Sequence, residues 1–251
     1  MRLFGTVAGL YDTARPGYPP AVADMIVDHH GGVPASAVEI GAGTGKGTEV
    51  FAALGAPLTC IEPDPDMAAV LAGRFPRASV HVGSFEEWTP PAEGVELVAC
   101  AMAWHWLDPG RRNDLAYAAL APGGTLAVLG HRYGYQDPEQ GAAVQEALNA
   151  LDPTVQERPI DWFHTDVLAS GRFTGVQKRV LNTSLPLAKD DYLALVRTFG
   201  PFLRHSPEVQ RKGLTALGRL VDGFGGTIVL DLRTTLVLAT RGREPAADAP
   251  G

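Results

Sequence analysis

The sequence predicts an α/β fold, a doubly wound and mostly parallel seven-stranded sheet with an antiparallel edge and helical lid insertions. Three observations predict it. Short apolar segments alternate with helix-patterned ones at the pitch of βαβ units. The strand segments are nearly continuous in apolar residues, as in strands covered on both faces. The first strand runs into a glycine-rich turn, Gly41-Ala42-Gly43-Thr44-Gly45-Lys46-Gly47, that opens a helix.

Each element follows from local pattern. A proline pair ahead of Ala-Val-Ala-Asp-Met-Ile-Val predicts a helix over 19–32 with proline at its start. The first strand is 37–40, and the helix after the glycine turn reaches about Leu54. A second apolar run covers 58–61. Residues 64–74 are helical because Met67, Val70 and Leu71 fall at helical spacing. Strands follow at 79–82 and 95–102, then a helix at 110–120, and Pro122-Gly123-Gly124 turns the chain into a strand at 125–129. After Gly130 the pattern changes. Residues 133–172 are richer in polar and aromatic residues and suggest helices with loops, 176–185 alternates like a strand, helices follow at 190–199 and 207–224, and 228–240 is strand-like. The last two strands are expected to form the antiparallel edge, with the helices between them as a lid. Right-handed crossovers gather the loops after the parallel strands at one edge of the sheet, where a ligand should lie.

Composition narrows the function classes. With 45% hydrophobic residues in 251, a full-sized core is available. A formal net charge of −7 argues against a large nucleic-acid footprint. No apolar run approaches the roughly 20 residues that span a bilayer. Residues 1–20 show no basic stretch followed by an apolar one, so no signal peptide is expected and a cytoplasmic location is. Cys60 and Cys100 lie in apolar strand runs and read as buried thiols. The histidines have no metal-ligand spacing, so no metal is expected.

The glycine turn discriminates between cofactor classes. A P-loop needs a glycine where Ile40 stands and a hydroxyl where Gly47 stands. A dinucleotide fingerprint counted from Gly41 or Gly43 requires glycine at Lys46 or Thr48. The observed Glu39-x-Gly41-x-Gly43-x-Gly45 instead resembles the first motif of the class I S-adenosylmethionine methyltransferases. Other segments match that family in order. Cys60-Ile61-Glu62-Pro63-Asp64 looks like its second-strand motif, Gly83-Ser84-Phe85-Glu86 stands at the third, Ala101-Met102-Ala103-Trp104-His105-Trp106 follows the fourth, and Leu120-Ala121-Pro122-Gly123-Gly124 precedes the fifth. The segment from Tyr11 through Arg15-Pro16-Gly17-Tyr18-Pro19, His105-Trp106 and Val196-Arg197-Thr198 resemble a small-molecule branch that includes the trans-aconitate methyltransferases.

The resemblance implies a Rossmann-like core and S-adenosylmethionine as cofactor. The pattern along the chain divides it into an N-terminal segment and cofactor-binding core (1–132), a lid insertion (133–172), C-terminal strands and lid helices completing the same domain (173–242) and a Pro- and Ala-rich tail expected to be disordered (243–251). Gly41, Ala42, Gly43, Thr44 and Gly45 would carry the backbone past the amino acid end and ribose. Glu39 would help hold the amino group, directly or through water, and Glu62 would accept from both ribose hydroxyls, since a carboxylate offers only acceptors. Pro63 and Met67 would pack near the adenine, with Ser84 and Phe85 on its other side. Ala101 and Met102 would flank the methionine portion, and Tyr11 would close over it. On the acceptor side the candidates are Tyr18, His105, Trp106, Arg132 and Tyr133. His105 is either a general base or a pocket wall. The expected reaction is in-line methyl transfer to a small molecule, chiefly by positioning, with oxygen favoured over nitrogen or carbon. A non-methylating member of the same fold, a cyclase or decarboxylase, or a ligand-binding regulator is the alternative. Oligomeric state is not legible.

Overall fold

A computed structural model describes residues 4–153 and 159–242; the expected disordered tail, 243–251, lies outside the described residues. The N-terminal segment forms α1 (Ala8–Ala14) and α2 (Ala21–His30). Then come β1 (Ala37–Ile40), α3 (Thr48–Ala52), β2 (Leu58–Glu62), α4 (Pro65–Arg74), β3 (Ser79–Val82), β4 (Val95–Ala101) and α5 (Arg112–Ala119). The remainder is β5 (Leu120–Tyr135), α6 (Pro138–Leu151), α7 (Trp162–Ala169), β6 (Thr174–Ala188), α8 (Lys189–Val196), α9 (Gly200–Leu203), α10 (Pro207–Gly223) and β7 (Thr227–Thr240). The strands make one sheet in the order β3-β2-β1-β4-β5-β7-β6. From β3 to β5 all pairings are parallel; β7 runs antiparallel to both β5 and β6. The order reverses between β1 and β4, so the loops after them diverge to opposite faces and leave a crevice at their carboxyl ends.

Alternation along the strands supplies two cores. Val38, Ile40, Val98, Cys100 and Val128 face one layer, which α5 and α7 cover. Ala37, Leu97, Ala99, Ala127 and Leu129 face the other, under α2 and α3. A third apolar cluster joins α6, α8 and α10 to the far ends of β5 and β7, and Phe202 belongs to it. Local chemistry places the ends of these helices. Asp64 caps α4, accepting from the amides of Asp66 at 3.0 Å and Met67 at 3.5 Å, with Pro65 in the first turn where it lacks no needed donor. Ser206 and Pro207 start α10 the same way.

Two expectations are corrected. The fifth strand, expected over 125–129, spans Leu120–Tyr135. Pro122-Gly123-Gly124 does not end it but forms an irregularity, since Val95 pairs with Leu120 while Leu97 pairs with Thr125. The strand reaches Tyr135 because β7 pairs with it continuously from Thr125↔Thr240 to Tyr135↔Leu230. The lid boundary at 133 therefore falls inside a strand, and Tyr133 and Tyr135 are sheet residues. Among the described residues no helix is long and apolar enough to cross a membrane.

Candidate active site

A cavity of about 340 Å³ opens at the carboxyl ends of β1, β2 and β4. Its floor is the glycine turn. Gly41 has φ +64°, and a Cβ there would lie 2.4 Å from the Cβ of Ala103, so only glycine lets the turn pass under the β4 loop. Gly43 has φ +59° and places its bare Cα near Met67. Glu62 ends β2 on the cavity wall, 7% exposed. Its Oε2 accepts from the Gly43 amide at 2.8 Å and its Oε1 from the Asp64 amide at 2.9 Å. Each oxygen keeps a lone pair beyond these bonds. Burial raises the Glu62 carboxyl above its usual range, against the two amide bonds that lower it. Glu62, Asp64 and Glu86 line this cavity, and among the described residues no Lys, Arg or His does.

The N-terminal segment is clasped over this cavity. The Gly5 amide donates to Asp64 Oδ2 at 3.1 Å, and Arg74 Nη1 donates to Asp12 Oδ1 at 2.5 Å and to the Thr44 carbonyl at 2.9 Å. Phe4 packs edge-on against Tyr11 (centroids 5.7 Å apart) and Trp106 (6.0 Å). All three rings line the cavity.

A second cavity, about 180 Å³, lies beside the first, past the end of β4 and over the middle of β5 and β7, under α7. Trp104, His105, Arg132, Trp162 and Phe163 are among its walls. Met102 lines both cavities. It is the non-glycine residue with positive φ among the described residues, at 55°, a conformation that costs of order 1–3 kcal/mol. The Met102 amide donates to the Leu129 carbonyl at 2.9 Å, and the His131 amide donates to its Sδ at 3.0 Å, so β5 holds the strained residue from both sides.

Asp166 of α7 ties the two walls of this smaller cavity together. It accepts from Trp104 Nε1 at 2.9 Å, from Asn113 at 3.0 Å and from both forks of Arg112, one at 2.9 Å. Burial pushes the Asp166 carboxyl up, but the bonds from Arg112, Trp104 and Asn113 outweigh it and the net direction is down.

Of the residues expected at the cofactor, the structure brings Tyr11, Gly41, Gly43, Glu62, Pro63 and Met67 to the larger cavity. Ser84, Phe85, Ala101 and Met102 join them there. Ala42, Thr44 and Gly45 do not line it: Ala42 and Thr44 are buried in the turn, and a Cβ on Gly45 would strike Phe75 at 2.4 Å. Glu39 is fully buried behind the loop, with Oε2 accepting from Thr48 at 2.5 Å and Oε1 without a partner. Burial pushes its carboxyl up to about 8. Of the acceptor-side candidates, His105 and Arg132 line the smaller cavity, while Trp106 stands in the larger one. Tyr18 and Tyr133 reach neither. Tyr18 stacks on His131 at 4.2 Å in the core, and the Tyr133 hydroxyl accepts from Arg15 at 3.2 Å beside Phe199. His131 is itself fixed between the Gly17 carbonyl (3.2 Å) and Thr234 (3.0 Å), and burial pulls it down to about 4. The sequence reading missed Phe4, Asp64, Ala103 and Leu107 in the larger cavity and Gly130 and Thr235 in the smaller. Asp64 carried a local signal as a helix cap ahead of Pro65, and Ala103 lay inside the motif-like segment after the fourth strand.

A cavity walled by carboxylates and floored by open glycines fits a ligand that carries cationic sulfur and ammonium groups with a ribose. The comparisons with known proteins agree. A methyltransferase-domain family profile matches residues 38–128. An uncharacterized methyltransferase of Mycobacterium bovis is 31% identical over 174 residues, 63% of this chain and 69% of the relative. The trans-aconitate 2-methyltransferase of Rhizobium meliloti is 40% identical over 95 residues, 37% of each chain. Among solved structures, a type II methyltransferase from Anaeromyxobacter dehalogenans superposes with a TM-score of 0.72 at 19% identity, covering 91% of this chain and 97% of its own. The phosphoethanolamine N-methyltransferase 2 of Haemonchus contortus, solved with S-adenosyl-L-methionine, has a TM-score of 0.57 at 12% identity, covering 95% and 57%. The chain belongs to the class I S-adenosylmethionine-dependent methyltransferases.

Proposed function

We propose that the chain methylates a small molecule seated in the 180 Å³ cavity, with S-adenosylmethionine in the 340 Å³ cavity and the methyl group passing at Met102. The observation that carries this reading is the single residue shared by two adjoining cavities of unequal size. The cofactor supplies an electrophilic methyl carbon on sulfur. Glu62 takes the ribose hydroxyls, Gly41 and Gly43 admit the amino acid end, and Pro63, Met67, Ser84 and Phe85 bound the adenine. Glu39 stands behind the glycine turn and supports it through Thr48. On the acceptor side His105 takes a hydroxyl proton, which supports oxygen as the methylated atom. The reaction depends chiefly on placement, since in-line transfer needs the two reactants aligned. A net charge of −7 supports a small-molecule partner over nucleic acid or a membrane surface, in the cytoplasm.

The test pairs calorimetry with single-turnover transfer. S-Adenosylhomocysteine should bind without added metal, and His105→Ala should lower the transfer rate by about a hundredfold, within the range of a lost general base, while cofactor affinity holds. Folded protein that binds neither S-adenosylmethionine nor S-adenosylhomocysteine would overturn the reading. Normal single-turnover chemistry in His105→Ala would make His105 a wall.

A further inference from the structure

The segment that roofs the larger cavity is pinned at two points on α1 and its end. Asp12 accepts from Arg74 of α4 at 2.5 Å, and Arg15 reaches the chain just past α8. Tyr11 is next to Asp12 and one turn before Arg15, and it lines the larger cavity. The Arg15 amide donates to the Tyr11 carbonyl at 3.1 Å, closing the last turn of α1. Residues four apart in such a turn lie on one face, so the two side chains meet.

The Arg15 pin is closely specified. Its Nε donates to Thr198 Oγ1 at 2.8 Å and its Nη2 to the Thr198 carbonyl at 2.9 Å, a fork closed on one residue. Thr198 is fully buried, and its hydroxyl proton is committed to the Leu195 carbonyl at 2.6 Å, which leaves the oxygen to accept. The Arg15 Nη1 donates to the Tyr133 hydroxyl at 3.2 Å. Three rings stand around the guanidinium carbon, Phe199 at 4.6 Å, Tyr11 at 5.1 Å and Tyr133 at 5.7 Å. Neutral oxygens and ring faces fix the plane of a guanidinium without neutralising it. Of the three rings, that of Tyr11 belongs to a cavity-lining residue; Arg15, Thr198, Tyr133 and Phe199 line neither cavity. The direct route from Arg15 to a ligand in the larger cavity therefore runs through Tyr11.

Resting on the proposed seat of the cofactor in that cavity, we infer that Arg15 is a positioning residue whose fork on Thr198 holds the Tyr11 ring against S-adenosylmethionine. The roof of the cofactor site is thereby set from the end of α8. Thr198, buried and remote from both cavities, tunes cofactor affinity through Arg15 and Tyr11.

The test is calorimetric binding of S-adenosylhomocysteine to the full chain and to single and double variants. Tyr11→Leu should raise the Kd by about threefold to tenfold, the worth of an aromatic contact. Arg15→Met should raise it by about threefold or more, and Arg15→Lys by less, because a lysine keeps the charge beside the ring and loses the fork. Thr198→Val removes one acceptor of the fork and should raise it by about twofold or more. The double variant of Arg15→Met and Tyr11→Leu should bind within about twofold of Tyr11→Leu alone, since the second loss has no ring left to act through. A general loss of structure would not produce that non-additivity. A wild-type Kd in Arg15→Met, or losses that multiply in the double variant, would overturn the inference and leave Arg15 as a tether of α1. If Arg15→Met lacks a single cooperative unfolding transition, Thr198→Val decides, and a wild-type Kd there would overturn the inference as well. Failure of the wild-type protein to bind S-adenosylhomocysteine would instead overturn the proposed function beneath it.

Discussion

The main-chain amide of His131 donates to the sulfur of Met102 across 3.0 Å, locking β5 to the loop after β4 where the two cavities meet. Met102 pays for this position in backbone strain, at φ 55°. Met102→Gly relieves about 1–2 kcal/mol of left-handed strain and removes the partition. Thermal stability should change little, while the transfer rate falls by about tenfold to a hundredfold as the reactants lose alignment. A rate that stays at the wild-type level would show that the partition does not position the methyl group.

Glu62 holds two amides and faces the larger cavity. Glu62→Ala should raise the cofactor Kd by about tenfold to a hundredfold, the equivalent of losing a hydrogen bond to a charged group at about 1.5–3 kcal/mol. Because burial raises its carboxyl, affinity in the wild type should weaken as pH falls and Glu62 gains a proton. Calorimetry across the acid range reads both effects; a Kd unchanged by the substitution would reduce Glu62 to a tether for the turn.

Glu39 supplies a stability prediction. Its carboxyl is raised by burial from 4.5 to about 8, so between those values the folded state keeps a proton that the unfolded chain has lost. Stability should therefore be highest below the unfolded value and fall as pH rises through the folded one. Glu39→Gln keeps an acceptor for Thr48 without the titration. Denaturation at about pH 5 and about pH 8.5 should show the wild type losing stability towards the higher pH and the variant losing much less. Parallel losses in the two proteins would place the titration on another group.

Asp166 clasps α7 to the Trp104 loop through the buried Arg112. Asp166→Asn leaves that guanidinium without its charge partner, which should cost about 3 kcal/mol and lower the Tm by roughly 6–12 °C for a chain of this size. Acceptor KM should rise more than cofactor Kd, since Trp104 and α7 wall only the smaller cavity. Equal losses in both would mean that the clasp serves the whole fold and not the acceptor slot. Hydrogen exchange should show α7 protected in the free protein, unlike a lid that opens freely.

The sequence by itself determined the parallel half of the sheet and picked out many of the residues that line the larger cavity. Strands β1 and β3 match their expected bounds residue for residue, because each is a short run whose limits are set by the turn residues on either side. The resemblance to the methyltransferase motifs singled out Gly41, Gly43, Glu62 and Met102, and the loops after parallel strands bring all four to one sheet edge. What tertiary structure decided was reach and direction. Strand β5 extends to Tyr135 because β7, about a hundred residues later, offers it partners, and no local pattern encodes a partner that distant. Glu39 points behind the turn, Tyr18 stacks on His131, and Tyr133 turns to Arg15, each decided by neighbours from other elements. The smaller cavity exists only where β4, β5, β7 and α7 converge, so its shape, unlike the glycine turn beside it, is a property of the packed chain.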